Sequence, residues 1–375
     1  VSQIFVLNTK DSLLYIDSLL PNQTYKLLAT MQPYNNASEV KSNELTVTTM
    51  DTTSHNFTFE SWTFGTVGSS VLYDVAIINE NNIWAVGEIM IADTSQNGYT
   101  TYNAVHWNGS VWELKRIKTN ACGGVVYPPI QAVFAFSLND ILFAHTDGSI
   151  SHYNGIEFTN DCSLITQLNG SANKIWGISK NDFYVVSGNG FIARYNGTNW
   201  QRIASGTTLN INDIWGDFNE KTQEWEILAV SGNILHGWEN EREILRINKD
   251  NKSQQLNVEG SKWPLSGLWF KSNDKYFVVG SGIYNKQRLT DTIWNNNLNN
   301  ISSFHTNKIK GNNINDVIIV GAYGESLHFN GVSWKSFMLE IFLSNGTFLS
   351  VNIKNNLIIA VGYQSAQAVL TVGQR

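Results

Sequence analysis

Seven histidines, two cysteines and 31 carboxylates are the side chains of this chain best suited to chemistry, and their spacing limits what each set can do. The histidines stand at 55, 106, 145, 152, 236, 305 and 328. His106, His152, His236 and His328 share a register with Arg194, near a turn and mostly directly before an aromatic residue. One such residue per repeat spreads the set around a ring, so it cannot converge on one metal or one substrate. Bonding to a neighbouring strand or repeat is the expected role. No His-x-x-x-His or Cys-x-x-Cys pair occurs, so zinc has no ligand set, and no metal or other cofactor is expected.

Carboxylates and nucleophiles give no complete site either. A glycosidase needs two carboxylates at a set separation. Asp74, Asp140, Asp182, Asp213, Asp274 and Asp316 sit at repeat positions, where a turn or strand-end role is expected. Glu88, directly after Gly87, is a candidate to face a central opening. There is no Gly-x-Ser-x-Gly and no Cys with a His partner. Gly280-Ser281-Gly282 has no following helix and is not a dinucleotide fingerprint. The chain is therefore expected not to be an enzyme. Cys122 and Cys162 lie 40 residues apart, almost one repeat. A disulfide stapling the 119–129 segment would fit an oxidising setting, and two reduced thiols are the alternative that spacing leaves open.

The elements that must position these residues come from a repeat. Asn139-Asp140, Asn181-Asp182, Asn273-Asp274 and Asn315-Asp316 each precede a β-rich run ending in or near Gly, as in Val317-Ile318-Ile319-Val320-Gly321. A second motif follows: His106-Trp107-Asn108-Gly109 through Trp112, His152-Tyr153-Asn154-Gly155, Arg194-Tyr195-Asn196-Gly197 through Trp200, and His328-Phe329-Asn330-Gly331 through Trp334. Asn-Gly between strand-like runs marks a hairpin, because both turn residues must accept positive φ. One unit is thus four antiparallel strands in a little over 40 residues, the size of a propeller blade. Seven inner strands are expected, starting near Asp74, Gln131, Lys174, Asp213, Gly267, Lys308 and Phe348. The fold predicted is an all-β, seven-bladed propeller over 57–375. The alternating stretch 57–65 should supply the fourth strand of the last blade and close the ring.

Four longer segments, Glu88–Thr101, Thr119–Pro129, Asn248–Trp263 and Asn295–Ser303, read as loops on one face, opposite the short turns. Binding residues favour variable loops on a rigid scaffold. Tyr99, Tyr127, Tyr323 and Tyr363 fall in or beside that face, where amphipathic rings can hold sugars or proteins. With Glu88 they are the candidate ligand-binding residues. The repeated tryptophans are expected to pack the core and the contacts between blades.

Composition agrees. Charged residues are only 15% and Asn occurs 46 times. A net charge of −6 gives no basic footprint, so nucleic acid is not an expected partner. No apolar run approaches the ~20 residues of a membrane span. No signal peptide is evident and the chain opens on Val, which fits a mature or trimmed protein.

Two resemblances add to this reading. The repeat Asn-Asp-x-x-x-Val-Gly followed by His-[Trp/Tyr/Phe]-Asn-Gly-x-x-Trp resembles that of bacterial secreted and cell-surface β-propellers, many of which follow fibronectin type III modules. Its Asn-Gly-x-x-Trp hairpin is also similar to the Asp-box of sialidases, though the Ser and Asp that open that box are not there in regular form. Leu20-Pro21-Asn22-Gln23-Thr24-Tyr25 resembles the tyrosine corner of a fibronectin type III domain, and residues 1–50 its last strands. The first strands, with their core Trp, are absent, so upstream sequence or a neighbouring chain is expected to complete that sandwich. The alternative is an irregular arm. Residues 51–56 read as a linker.

The resemblances imply a secreted or cell-surface protein whose role is binding or adhesion, with a protein or glycan partner on the long-loop face. A structural subunit joined to like copies through residues 1–50 is the first alternative. A sialidase-like, glycan-active enzyme is the second; it would need an arginine triad and a Tyr nucleophile with a Glu partner, and arginine is sparse here.

Overall fold

Val317 to Val320 show why the strands read as unbroken apolar runs. Val317 and Ile319 pack on one side with Trp269, Phe277 and Ile283, while Ile318 and Val320 pack on the other with Phe348, Val351 and Ile358. Successive residues of a strand point to opposite faces, and here both faces are covered. A strand of this kind belongs in a stack of sheets.

The computed structural model describes residues 16, 19–31, 38–119, 124–168, 170–234, 241–296, 298, 300–302 and 304–375. They fall into two units, Val1–Thr53 and Ser54–Arg375. The larger unit is a seven-bladed β-propeller. Blade 1 comprises Val71–Asn79, Asn82–Ala92, Tyr99–Trp107 and Trp112–Lys115, hydrogen-bonded in that order. Blades 2, 3, 4 and 6 repeat the four-strand meander from inner strands Ile130–Ser137, Ala172–Ser179, Ile211–Asn219 and Thr306–Asn313. Blade 5, from Leu265–Lys271, has three strands, with a lone bridge from Asn285 to Asn295 beyond them. Blade 7 is Gly346–Lys354, Leu357–Gln364 and Gln367–Gln374, completed by Thr58–Phe64. That last pairing is antiparallel and sets Trp62 opposite Leu370 and Thr58 opposite Gln374. It leaves neither end of the ring with a bare edge.

Seven apolar clusters hold the ring, one at each junction of successive blades. Ala76, Trp84 and Val86 of blade 1 meet Ile130, Val133 and Phe143 of blade 2, for example. The seventh cluster joins Leu72, Val75 and Ala85 of blade 1 to Ile359, Val361 and Leu370 of blade 7. Each fully buried Leu, Ile, Val or Phe contributes about 1.5–3 kcal/mol. The repeated tryptophans do pack between blades: a Cβ on Gly216 would lie 2.4 Å from the Trp176 ring, and one on Gly311 2.7 Å from Trp269.

Two of the four expected loops are different in kind. Glu88–Thr101 is mostly an extended hairpin, with Ile89 opposite Tyr102 and Ala92 opposite Tyr99, so only 93–98 form its tip. Asn248–Trp263 contains the outer strand of blade 4, Ser253–Gln255, paired to Leu245–Ile247. In the smaller unit, Thr24–Leu27 pairs with Leu45–Thr48, and Thr30–Met31 with Val40–Lys41. Tyr25 stands opposite Val47 and Leu27 opposite Leu45, so one side of this ribbon is apolar. The Leu20 amide donates to the Tyr25 hydroxyl at 2.8 Å.

Candidate functional site: the central channel

Every inner strand carries a register shift at the same place. The shifts skip Tyr73, Gln131, Asn173, Asn212, Ser266, Asn307 and Leu349, one residue per blade. A β-bulge re-aims side chains and bends the strand. It also explains the glycine that closes the second strand: a Cβ on Gly87 would sit 2.0 Å from the Val71 carbonyl oxygen, and one on Gly321 2.1 Å from that of His305. These seven residues line a cavity of about 380 Å³ on the propeller axis, joined by Asn210 and Asn233. Six of the lining side chains, Gln131, Asn173, Asn210, Asn212, Asn233 and Asn307, are carboxamides. The cavity opens on the face that carries the second-to-third-strand loops and the links between blades.

One residue further along the inner strands lies a layer of buried charge. Asp74 of blade 1 accepts the Val133 amide of blade 2 at 3.0 Å and two hydrogen bonds from Lys174 Nζ of blade 3, at 2.6 and 2.7 Å. Ser350 of blade 7 donates to the same carboxylate at 2.7 Å. Asp213 of blade 4 repeats the arrangement: it accepts the Leu268 amide of blade 5 at 3.2 Å and stands 3.3 Å from Lys308 Nζ of blade 6. Each aspartate therefore reaches across two blades. Lys310, two residues beyond Lys308 and on the same side of the strand, lies 4.0 Å from Asp213 Oδ2. That is too long for a hydrogen bond. Its Nζ has no hydrogen-bond partner and sits 4.4 Å above the Trp215 ring. All five side chains are at most 9% exposed.

Burial opposes the charges of Lys310, Lys308 and Asp213. It pushes Lys310 down to about 8 against the partial support of Asp213, and lowers Lys308 in the same way. For Asp213 burial is again the largest influence, but the ammonium groups of Lys308, Lys310 and Lys174 outweigh it and hold the carboxyl below its ordinary value.

The motif histidines do what the sequence suggests. His106 Nε2 meets Asn82 Oδ1 at 3.0 Å, His152 Nε2 meets Asp140 at 2.6 Å, Arg194 forms a two-point pair with Asp182, and His328 Nε2 meets Asp316 at 2.8 Å. The second residue of each first turn thus takes a donor from the third strand, which ties the hairpins together within a blade. His236 lies outside the described residues. In blade 6 this pair grows into a latch. Arg375 also binds Asp316, and His55 Nδ1 lies 2.7 Å from His328 Nδ1. His328 Nε2–H donates to the Asp316 carboxylate, and a single hydrogen shared between the two facing Nδ1 atoms joins His328 to His55. Burial alone would raise Asp316, but hydrogen bonds from His328, Arg375 and Asn312 bring it down to about 2. Among the described residues no group of three or more His, Cys, Asp or Glu is arranged to hold a metal, and no helix is long and apolar enough to cross a membrane.

The sequence candidates lie on the same face as the channel but apart from it. Glu88 pairs with Val71 at the bulge; burial, and after it the nearby Glu88 carboxylate, raise the Tyr73 hydroxyl, and burial raises Glu88 itself. Tyr99 is exposed at the base of the blade 1 hairpin tip, and Tyr127 lies beneath the Arg116 guanidinium at 3.9 Å. Tyr323, exposed and at φ +59°, contacts Phe304 beside a second cavity of about 330 Å³ lined by Ser281, Leu298, Phe304 and His305. Tyr363 is half-buried in blade 7, opposite Thr347. None of the five lines either cavity. Cys162 is half-buried after the outer strand of blade 2, and Cys122 lies outside the described residues, so their pairing is not described. Asp74 and Asp213 hold no turn or strand end: they sit in the channel, bound to lysines, because the bulges aim them there. A signal was available, since Asp74, Lys174, Asp213 and Lys308 are all expected inner-strand starts.

No protein-family model matches the chain, and no curated protein does. Solved structures do. YCF48 bound to D1 peptide superimposes with TM-score 0.60 at 15% identity, over 84% of this chain and 97% of that one. YCF48 from Cyanidioschyzon merolae gives 0.59 at 12%, over 84% and 98%. The WD40 β-propeller domain of Doa1 gives 0.55 at 10%, over 86% and 98%. At these identities the likeness is one of fold.

Proposed function

We propose that the chain is a non-catalytic binding module, secreted or displayed at a cell surface, that holds a segment of a partner protein at the channel mouth. The observation that carries this is the ring of six carboxamides around the cavity. Asn173, Asn212 and Asn307 spend amide hydrogens on backbone carbonyls of the following blade, which fixes these side chains and leaves their oxygens to accept the N–H groups of a bound segment. That a structurally similar propeller is solved bound to a peptide favours a protein segment over a glycan. For the sialidase-like alternative, Asp74 and Asp213 would first have to leave their lysine and backbone partners. The test is a library of ten-residue peptides screened against the intact chain. Binders should lose at least tenfold in affinity with Asn173→Ala plus Asn212→Ala, and nothing with Asn154→Ala on the opposite face. Binding indifferent to both would overturn the reading.

A second reading concerns residues 1–50. Leu20, Leu28, Met31, Val40, Leu45 and Met50 are all more than 40% exposed, an unusual density of apolar surface. The Leu20–Tyr25 bond matches the tyrosine corner of the fibronectin type III resemblance. Both support a ribbon that joins like copies into an assembly. Native mass by light scattering tests it: a monomer at micromolar concentration excludes the homotypic contact.

A further inference from the structure

We infer that the floor of the channel is a carboxylate site, which receives an acidic side chain or free C-terminus of the bound segment. Among the described residues, the carboxylates that Lys174, Lys308 and Lys310 meet in this layer are Asp74 and Asp213, and Lys308 also reaches the Asn212 carbonyl oxygen at 3.4 Å, so the five groups carry one uncompensated positive charge. They are nine-tenths or more buried, where an unbalanced ion is costly and a counter-ion is correspondingly favoured. The imbalance localises on Lys310. Its Nζ has no hydrogen-bond partner and is supported only by the Trp215 ring and a 4.0 Å approach to Asp213. The cavity reaches this layer at Asp74, Lys174 and Lys308, which form part of its wall, while Lys310 lies outside the wall, two residues further along the strand from Lys308, and acts on a bound anion through its charge rather than by contact. A monoanion neutralises the floor, whereas a phosphate dianion would leave it negative by one. Above the floor, Asn173, Asn212 and Asn307 donate to backbone carbonyls of the following blade, at 2.9, 2.7 and 2.9 Å, so the lysine ammonium groups are the donors this site holds for a carboxylate.

The inference rests on the channel mouth being the binding face, and two arms separate the failures. In the first, trifluoroacetate is titrated into the intact chain and its fluorine linewidth followed. The expected result is broadening that acetate reverses, that Lys308→Met and Lys310→Met each reduce at least fivefold, and that Lys180→Met on the exposed surface leaves alone. Broadening insensitive to the channel variants overturns the site. Reversal by phosphate as readily as by acetate overturns its carboxylate preference. In the second arm, library binders are compared as free acid and carboxamide, and with internal Asp or Glu changed to Asn or Gln. Loss of at least tenfold on removing the carboxylate, abolished in Lys310→Met, supports the inference. Binding that depends on Asn173 and Asn212 but not on any carboxylate keeps the mouth and overturns the floor. Absence of any binder overturns the segment-binding reading, and the trifluoroacetate arm then decides the floor alone.

Discussion

Lys310 should cost the fold what it offers to a ligand. Its ammonium is buried, and burial lowers its pKa from the ordinary 10.5 to about 8. A drop of that size corresponds to about 3 kcal/mol of disfavour for the charged form in the folded protein. The penalty is fully present below pH 8, where both states hold the proton. Between pH 8 and 10.5 the unfolded chain binds the proton and the native one does not, so stability rises with pH, by about 1.4 kcal/mol per unit. Met is nearly the same length, suits a position above the Trp215 ring where the ammonium now lies at 4.4 Å, and carries no charge. Lys310→Met should therefore stabilise the propeller at pH 7 by about 1–3 kcal/mol and remove this slope. The assay is urea unfolding followed by tryptophan fluorescence at pH 7, 8, 9 and 10, with wild type and variant side by side. A variant no more stable at pH 7, or a difference that does not change with pH, would refute the charge argument.

Three further outcomes follow from the same kind of reasoning. Asp316→Asn should destabilise by about 2 kcal/mol at pH 7, because a carboxyl lowered to about 2 contributes stability that is present above pH 3.8 and lost as pH falls through 2; calorimetry of both proteins at pH 7 and pH 2 checks it. His145 is fully buried, bonded to Ser151 and lowered by burial to about 4, so wild type should lose up to about 3 kcal/mol between pH 6.5 and 4, a loss that His145→Gln should remove in acid titrations of the denaturation midpoint. Gly321→Ala would place a Cβ 2.1 Å from the His305 carbonyl oxygen and should cost about 3 kcal/mol by the same denaturation assay, with Gly124→Ala, where there is open space and no positive φ, as the control.

What the sequence disclosed was whatever depends on neighbours in the chain. Asn-Asp and Asn-Gly turns act within a few residues, so they mark the blades directly, and the Val-Gly endings register the bulge opposite them. Even the closing strand is readable, because Thr58–Phe64 alternates and Gln367–Gln374 lacks an outer partner of its own. The hairpin over Glu88–Thr101 was less legible: Ile89-Met90-Ile91-Ala92 has no polar alternation, since Ile89 is buried between blades while Met90 covers Gly68. The channel was not legible as a site. Asp74 and Lys174 are 100 residues apart, and only the ring brings them to 2.6 Å. The latch has the same character, with His55 and His328 separated by 273 residues and His55 outside the repeat.

The last blade is built from residues made far apart in time. Ser61 hydrogen-bonds Thr371 across a sequence separation of 310. At translation rates of roughly 5–20 residues per second, Thr58–Phe64 waits about 15–60 s for its partner strand. Until Gln367–Gln374 arrives, blade 1 presents Leu72, Val75 and Ala85 without the residues that cover them, and the seventh junction does not exist. Ring closure thus waits for Gln367–Gln374 to be made. A chain stalled or cleaved just before it has six junctions and an open, sticky seam, which marks it for chaperones and proteases as unfinished.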